Sequence, residues 1–304
     1  MGLIILKWII KNPAPPDSRQ LNWGDFHLGR SLTKYLLRSG IDVQSDYYPK
    51  WENDKEADVV LVIRGKYPYK PKGNSINIMW NISHPTSIKL EEYQDYDIVF
   101  VASNYYADIL REKINKPVYP LLLCTDMEEF FERDIDGERN GIIFVGNTRG
   151  VRRDCVIWST ELGIPLKLWG KGWEKWLDKK KYVVNEYIRN EDLGKLYSQS
   201  KVVLNDHWPD MRQFGFINNR VFDAIACGVP VICDYHHGLY EIFPNGILYY
   251  KNKNEFKNCI EQINHSYPII KSNINQLKPI VEKDFSYKKR VKQILKALRS
   301  EHLI

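Results

Sequence analysis

Short apolar runs alternate along the whole chain with apolar residues at helical spacing. In the first half, Leu3–Ile10, Ala57–Ile63, Ser75–Trp80 and Ile98–Ala102 read as strands. Asp25–Ser39 reads as a helix, with Phe26, Leu28, Leu32, Tyr35 and Leu36 at helical spacing before Gly40, and Tyr105–Lys113 as another. A second series follows: Gly141–Val145, Leu166–Leu168, Lys201–Leu204, Val229–Cys233 and Ile247–Tyr249. This rhythm implies α/β architecture with mostly parallel sheets and helices on both faces. Ligands of such sheets bind beyond the carboxyl ends of the strands, so the loops there carry the chemistry.

The charged run at 132–140 separates the two series and reads as a linker. The expected organisation is an N-terminal Rossmann-like domain over residues 1–135, a C-terminal one over 141–285, and a terminal helix over 286–304. In that tail Tyr287, Val291, Ile294, Leu295 and Leu298 share one face, while Lys288, Lys289, Arg290, Lys292, Lys296 and Arg299 occupy much of the remainder. Such a helix can pack its stripe on the protein or lie on an anionic membrane. Packing is the favoured reading, and the polar face can still touch lipid.

A chain of 304 residues has room for two domains, and 43% hydrophobic with 27% charged residues excludes a disordered chain. The net charge of +6 suits an anionic nucleotide-sugar or membrane face. No nucleic-acid signature accompanies it, so no nucleic acid is expected. Cys124, Cys155, Cys227, Cys233 and Cys259 form no CxxC pair, which points to free thiols in a reducing cytosol. No run approaches the roughly 18–20 apolar residues of a membrane-spanning helix. The expected location is cytoplasmic, with peripheral contact at the inner membrane face as an extension.

The most informative stretch is 202–234, where two buried-strand patterns flank a helix over Asn218–Cys227 closed by Gly228 and Pro230. The preceding turn, Gly215-Phe216-Ile217-Asn218-Asn219-Arg220, offers a flexible glycine, free backbone N–H groups at a helix start, and a guanidinium. These describe a diphosphate cradle. Asp223, one turn after Asn219, could accept from ribose hydroxyls. Gly146-Asn147-Thr148-Arg149 follows a strand, where Gly146 permits close approach and Asn147 and Arg149 can donate to phosphate; a solvated loop is the plainer alternative. In Trp169-Gly170-Lys171-Gly172-Trp173, Gly170 fits a tight turn against a nucleotide, and the tryptophans either cover it or pack in the core.

Phe222-Asp223-Ala224-Ile225-Ala226-Cys227-Gly228-Val229-Pro230-Val231-Ile232 resembles the donor-binding segment of GT-B glycosyltransferases, closest to the CgeB-type (spore-maturation) branch. Phe144-Val145-Gly146-Asn147, the Trp169–Trp173 run, and Asn190-Glu191-Asp192-Leu193 through Asn205 fit the same branch. The resemblance covers roughly residues 140–245 and is looser before that. It implies two doubly wound Rossmann-like domains with a cleft between them. It also implies a nucleoside-diphosphate sugar on the C-terminal domain and a glycan or lipid-linked glycan acceptor on the N-terminal one, as in surface or capsular polysaccharide synthesis. The backbone near Tyr187 would meet the base edge, and the terminal helix would cross back to the N-terminal domain.

Asp223 stands where retaining GT-B enzymes carry a ribose-binding Glu. Their second Glu, eight residues earlier, is replaced by Gly215. Asp206, beside Asn205, or Asp210 could take over part of its role, so stereochemistry stays open. The general-base candidates are Asp25, His27 and His84. Asp25 reads equally as an ordinary N-cap. His84, directly after the Ser75–Trp80 strand, reads as a cleft residue or as a structural histidine in its turn. The DxD spellings Asp95-Tyr96-Asp97 and Asp134-Ile135-Asp136 read as chance, so no catalytic metal and no cofactor are expected. A GT-B-like sugar-nucleotide epimerase and a non-catalytic sugar-nucleotide binding protein are the alternatives.

Overall fold

The computed structural model describes residues 6–51, 57–73 and 75–304; residues 3–5 of the expected opening strand lie outside them. The first half runs β1 (Lys7–Asn12), α1 (Gly24–Arg38), β2 (Asp42–Tyr47), β3 (Val59–Arg64), β4 (Ile76–Asn81), α2 (Leu90–Gln94), β5 (Ile98–Val101), α3 (Asn104–Arg111) and β6 (Val118–Pro120). The second runs β7 (Ile142–Val145), α4 (Asp154–Glu161), β8 (Leu166–Trp169), α5 (Lys179–Tyr182), β9 (Val183–Asn185), α6 (Asn190–Gln199), β10 (Val202–Asn205), α7 (Pro209–Gln213) and α8 (Asn219–Ala226). It continues through β11 (Val231–Asp234), α9 (His237–Ile242), β12 (Leu248–Tyr250), α10 (Lys253–His265), α11 (Tyr267–Asp284) and α12 (Tyr287–Ser300).

The strands form two six-stranded parallel sheets, ordered β2-β1-β3-β4-β5-β6 and β12-β11-β10-β7-β8-β9. The apolar runs become the buried inner strands: every residue of β3, β5, β10 and β11 is buried. β2, Asp42–Tyr47, escapes the hydrophobic pattern because it is an edge strand with only Val43 buried. In the second sheet the core is built by Phe144, Leu166, Leu168, Trp173, Val202, Leu204, Ile232 and Phe256.

The chain divides into two compact units. The first comprises Met1–Leu123, Pro209–Ile217 and Phe285–Ile304; the second comprises Cys124–Trp208 and Asn218–Asp284. The division falls at Leu123/Cys124, and the charged run expected to be a linker, 132–140, is pinned inside the second unit. Glu132 there accepts from Arg139 (2.7 Å), Lys271 (2.6 Å) and Lys278, and Arg139 also donates to the Cys227 carbonyl at 3.0 Å. Within this run Glu132 is a multiply paired carboxylate, while Asp134, Asp136 and Glu138 are exposed.

The segment carrying α7 belongs to the first unit. The rings of Phe214 and Phe216 lie 4.9 and 5.7 Å from Tyr106, and Ser103 Oγ donates to the Phe214 carbonyl at 2.6 Å. Gly215 adopts φ 73° where α7 ends, and the Phe216 amide closes that end on the Met211 carbonyl at 2.8 Å. Helix α12 also belongs to the first unit and buries Tyr287, Val291, Ile294, Ala297 and Leu298. Arg290, assigned by spacing to the polar remainder, is buried. Its Nε donates to the Leu122 carbonyl at 2.5 Å and its Nη2 to the Leu123 carbonyl at 3.3 Å. Loops that end without ladder partners leave carbonyls unsatisfied, and a guanidinium with five donors can serve two of them.

Arg290→Ala should therefore destabilise the protein by about 1–3 kcal/mol, the cost of leaving buried acceptors unmet. The exposed Lys292→Ala should stay within about 0.5 kcal/mol of wild type. Denaturant midpoints of the two variants measure the difference.

Candidate functional site

Within the second unit the six strands take, in chain order, the 3-2-1-4-5-6 arrangement, which reverses direction between β7 and β10. Arg220 lies across that reversal. Its Nη2 donates to the carbonyl of Val145, the last residue of β7, and its Nη1 to Oδ1 of Asn205, the last of β10, at 2.7 Å. The guanidinium also covers the Phe144 ring at 4.7 Å. Gly146 is required beside it, because a Cβ there would come 2.9 Å from Nη2. Asn205 is fully buried, and its side-chain oxygen holds the cation in place.

The N-terminus of α8, like those of α1, α2, α4, α6 and α12, has no side-chain cap. Ser103, Asp178 and Asn252 each close their own helix with a side-chain oxygen. Asn218 does not. Its Nδ2 donates to the Asp206 carbonyl at 3.2 Å, its amide donates to His207 Nε2 at 3.2 Å, and its Oδ1 is buried with no partner among the described residues. The amides of Asn219 and Arg220 have no hydrogen-bond partner among the described residues. Open amides at a helix start beside a fixed guanidinium make an anion site. Asn219 turns its side chain to the Cys124 carbonyl at 3.3 Å.

One turn further, Asp223 is buried. Burial pushes its carboxyl up to about 8, against the lowering influence of Thr125 and Arg220 beside it. The neighbouring strand ends complete this edge. A Cβ on Gly170 would meet the Gly146 carbonyl at 2.2 Å, so the loops after β7 and β8 approach as only glycine allows. Asn147 Oδ1 accepts from the Lys171 amide at 2.7 Å, and the Gly170 amide donates to the Asn185 carbonyl at 3.0 Å. Half-buried Tyr187 follows β9, its amide 3.3 Å from Asn185 Oδ1. Arg149 is exposed, with its guanidinium 5.7 Å from the Trp208 ring. Trp173 is a core residue, which settles the choice between core and cover for that tryptophan.

Gly215 and Phe216 lie in the first unit, where the Phe216 ring is fully buried and the turn ends α7. Asp206 forms a buried ion pair with Arg153 at 2.5 Å. Burial raises its carboxyl and Arg153 opposes that, so its charge is spent internally and does not replace the missing Glu.

In the first unit, Asp25 lies in the first turn of α1, not at its N-cap, which is Trp23. A Cβ on Gly65, just after β3, would be 3.5 Å from Ser83 Oγ and 3.7 Å from Asp25 Oδ1. Ser83 Oγ lies 2.7 Å from His84 Nδ1, and His84 adopts φ 55° at the start of its turn. Asp25, Ser83 and His84 therefore gather at the ends of β3 and β4. His27 is directed elsewhere: its Nε2 is 2.9 Å from the Leu21 carbonyl, and burial lowers its basicity.

The sequence reading did not single out His207 and Asp234, although Asn-Asp-His directly after a buried strand was the available signal. His207 Nδ1 lies 2.7 Å from Asp234 Oδ1. Burial works against ionised Asp234, yet the hydrogen bonds from the His207 ring and amide oppose it, and the carboxyl is held below its usual range. With Cys233 these residues form, among the described residues, the one group that could hold a metal ion, within 4.8 Å of one another. Their polar atoms are already hydrogen-bonded to each other. Of the DxD spellings, Asp97 accepts from the Asn77 amide at 2.7 Å, and Asp134 and Asp136 lie in the charged run of the second unit.

Residues 152–296 match the family described as glycosyl transferase-like. The sucrose-phosphate synthase of Thermosynechococcus elongatus is similar in structure, with a TM-score of 0.71 at 13% identity, covering 97% of this chain and 98% of that one. HepE of Anabaena, solved with UDP and glucose, has a TM-score of 0.64 at 12% identity, covering 97% and 100%. The T4 phage beta-glucosyltransferase has a TM-score of 0.67 at 14% identity, covering 96% and 98%. No curated protein sequence matches the chain. At these identities the likeness is one of fold, and the fold is GT-B: two Rossmann-like domains, each with a parallel six-stranded sheet.

Proposed function

We propose that the protein is a glycosyltransferase that takes its sugar from a nucleoside diphosphate bound by the second unit. The observation that carries this reading is the uncapped start of α8 beside Arg220. The open amides of Asn219 and Arg220 would meet the diphosphate, and the Arg220 guanidinium would stabilise the charge that develops as it departs. Asp223 would take the ribose hydroxyls, and the Gly146, Asn147, Gly170 and Tyr187 edge would surround the base. Proteins of the same fold support the choice: the Anabaena structure contains UDP and glucose, and the T4 phage enzyme has UDP-glucose as its substrate. UDP is accordingly the first nucleotide to test.

On the acceptor side, Asp25 and His84 are the proposed sources of a general base. A glycan or lipid-linked glycan of surface or capsular polysaccharide is the proposed acceptor, in keeping with the CgeB-like Phe222–Ile232 run. The exposed lysines of α12 suit a peripheral site at an anionic cytoplasmic membrane face. Because the chain supplies positive charge at the diphosphate, the proposed chemistry is metal-independent. Release of free sugar nucleotide isomer without acceptor would favour an epimerase instead.

Sugar transfer from UDP-glucose or a related donor should survive a strong chelator; loss restored by manganese overturns metal independence. Arg220→Ala should weaken UDP binding by about 1.5–3 kcal/mol, the worth of a hydrogen bond to a charged group. Arg220→Lys should recover little, since an ammonium cannot span both strand ends. Calorimetric titration of the three proteins decides this, and equal affinities remove Arg220 from the site.

Asp223 makes stability depend on pH. Its folded value of about 8 exceeds the unfolded value of about 3.9, so the folded state holds the extra proton between them. This contribution is fully present below about pH 4 and is lost as pH rises to about 8, with a slope of at most about 1.4 kcal/mol per pH unit. Asp223→Asn should remove that slope, read as the difference between the two proteins' unfolding free energies across this range. Parallel pH profiles contradict the assignment.

A further inference from the structure

We infer that Asp234 and His207 form a tautomer-setting relay that positions the start of α8 and Arg220 for the nucleoside diphosphate; the ligand rests on the donor reading above. A closed ring of hydrogen bonds connects them, and its directions are forced. Arg220 can only donate, so Asn205 Oδ1 faces it at 2.7 Å and Asn205 Nδ2 must face the other way. That amide donates to Cys233 Sγ at 3.0 Å, and the thiol donates to Asp234 Oδ1 at 3.3 Å. Asp234 Oδ2 accepts the His207 amide at 3.0 Å, and Oδ1 accepts from the ring Nδ1 at 2.7 Å. His207 Nε2 is 3.2 Å from the Asn218 amide, which also can only donate. His207 must therefore be the neutral Nδ1–H tautomer, with the Nε2 lone pair accepting from Asn218. The chain from Asn218 to Arg220 closes the ring.

The relay anchors both anion-binding elements at once. Asn218 is held by its own amide, not by capping α8, which leaves the next two amides open. The guanidinium is held through Asn205 by the same carboxylate. His207 and Asp234 are buried, so they are positioning residues and not ligand contacts.

A carboxamide in place of Asp234 cannot accept from the His207 amide, the ring and the Cys233 thiol together. Its NH2 edge drives the ring to the Nε2–H tautomer, and that proton then faces the Asn218 amide. Asp234→Asn should therefore release the helix start.

The test has two arms on the full-length protein. Imidazole 15N spectra of histidine-labelled wild type should contain an Nδ1–H ring signal that is missing from His207→Gln. A His207 signal of the Nε2–H form overturns the relay. In UDP titrations, Asp234→Asn and His207→Leu should bind about tenfold more weakly, the worth of one hydrogen bond. His207→Gln, whose amide oxygen can still accept from Asn218, should stay within about threefold of wild type. This rescue separates positioning from general loss of structure. If Asp234→Asn does not fold, the Leu and Gln variants and the wild-type spectrum still decide. Wild-type binding with unchanged His207→Leu overturns the relay alone, whereas a wild type that binds no UDP or GDP overturns the donor reading.

Discussion

The second unit's candidate site depends on one guanidinium spanning two strand ends. Parallel strands present acceptors at their carboxyl edge, and where the strand order reverses no single connecting loop covers them. Arg220 meets a carbonyl of β7 and a side-chain oxygen of β10 together. A planar fork of donors can do this, and a point charge cannot. The same contact fixes the cation one residue from the open start of α8, so the tie between two strand ends and the proposed anion site share one side chain.

Around it, the buried carboxyl groups of Asp206, Asp234 and Asp223 meet the cost of burial in different ways. Asp206 is neutralised by Arg153. Asp234 is kept ionised by hydrogen bonds from His207. Asp223 lacks sufficient compensation, and its carboxyl is pushed up. Buried pairs of this kind add little to stability over apolar replacements, because desolvation offsets attraction. What they do supply is direction: each donor and acceptor in the ring from Arg220 to Asn218 has a single permitted orientation, which apolar packing does not enforce.

Chain routing divides the Gly215–Arg220 turn between the two units. After β10 the chain leaves the second unit at Trp208, contributes α7 to the first, and re-enters at Asn218. Gly215 and Phe216 serve the excursion, while Asn218 is the first residue that answers to the second unit. The cap residue of α8 is consequently held by the loop after β10, through His207 and the Asp206 carbonyl, and not by its own helix.

The sequence by itself determined the α/β class, the parallel strands and the helix over Asn218–Cys227, because a strand buried on both faces must be continuously apolar and a helix must space its apolar residues. It also singled out Gly146 and Gly170 after strands and Arg220 and Asp223 at the start of a helix, which are local signals in the sequence. Edge strand β2 was not legible, because a strand exposed on one side carries little apolar pattern. Nor could local pattern tell that Arg290 and Asp206 are buried while Lys292 is exposed, or that residues 132–140 are pinned by Lys271 and Lys278. The partners concerned are far away in the chain, and only the tertiary structure brings them within a hydrogen bond. The Asp234–His207–Asn218 relay is the clearest case: its members look unremarkable in sequence, and their roles follow from which atoms face one another once β10, β11 and α8 are packed.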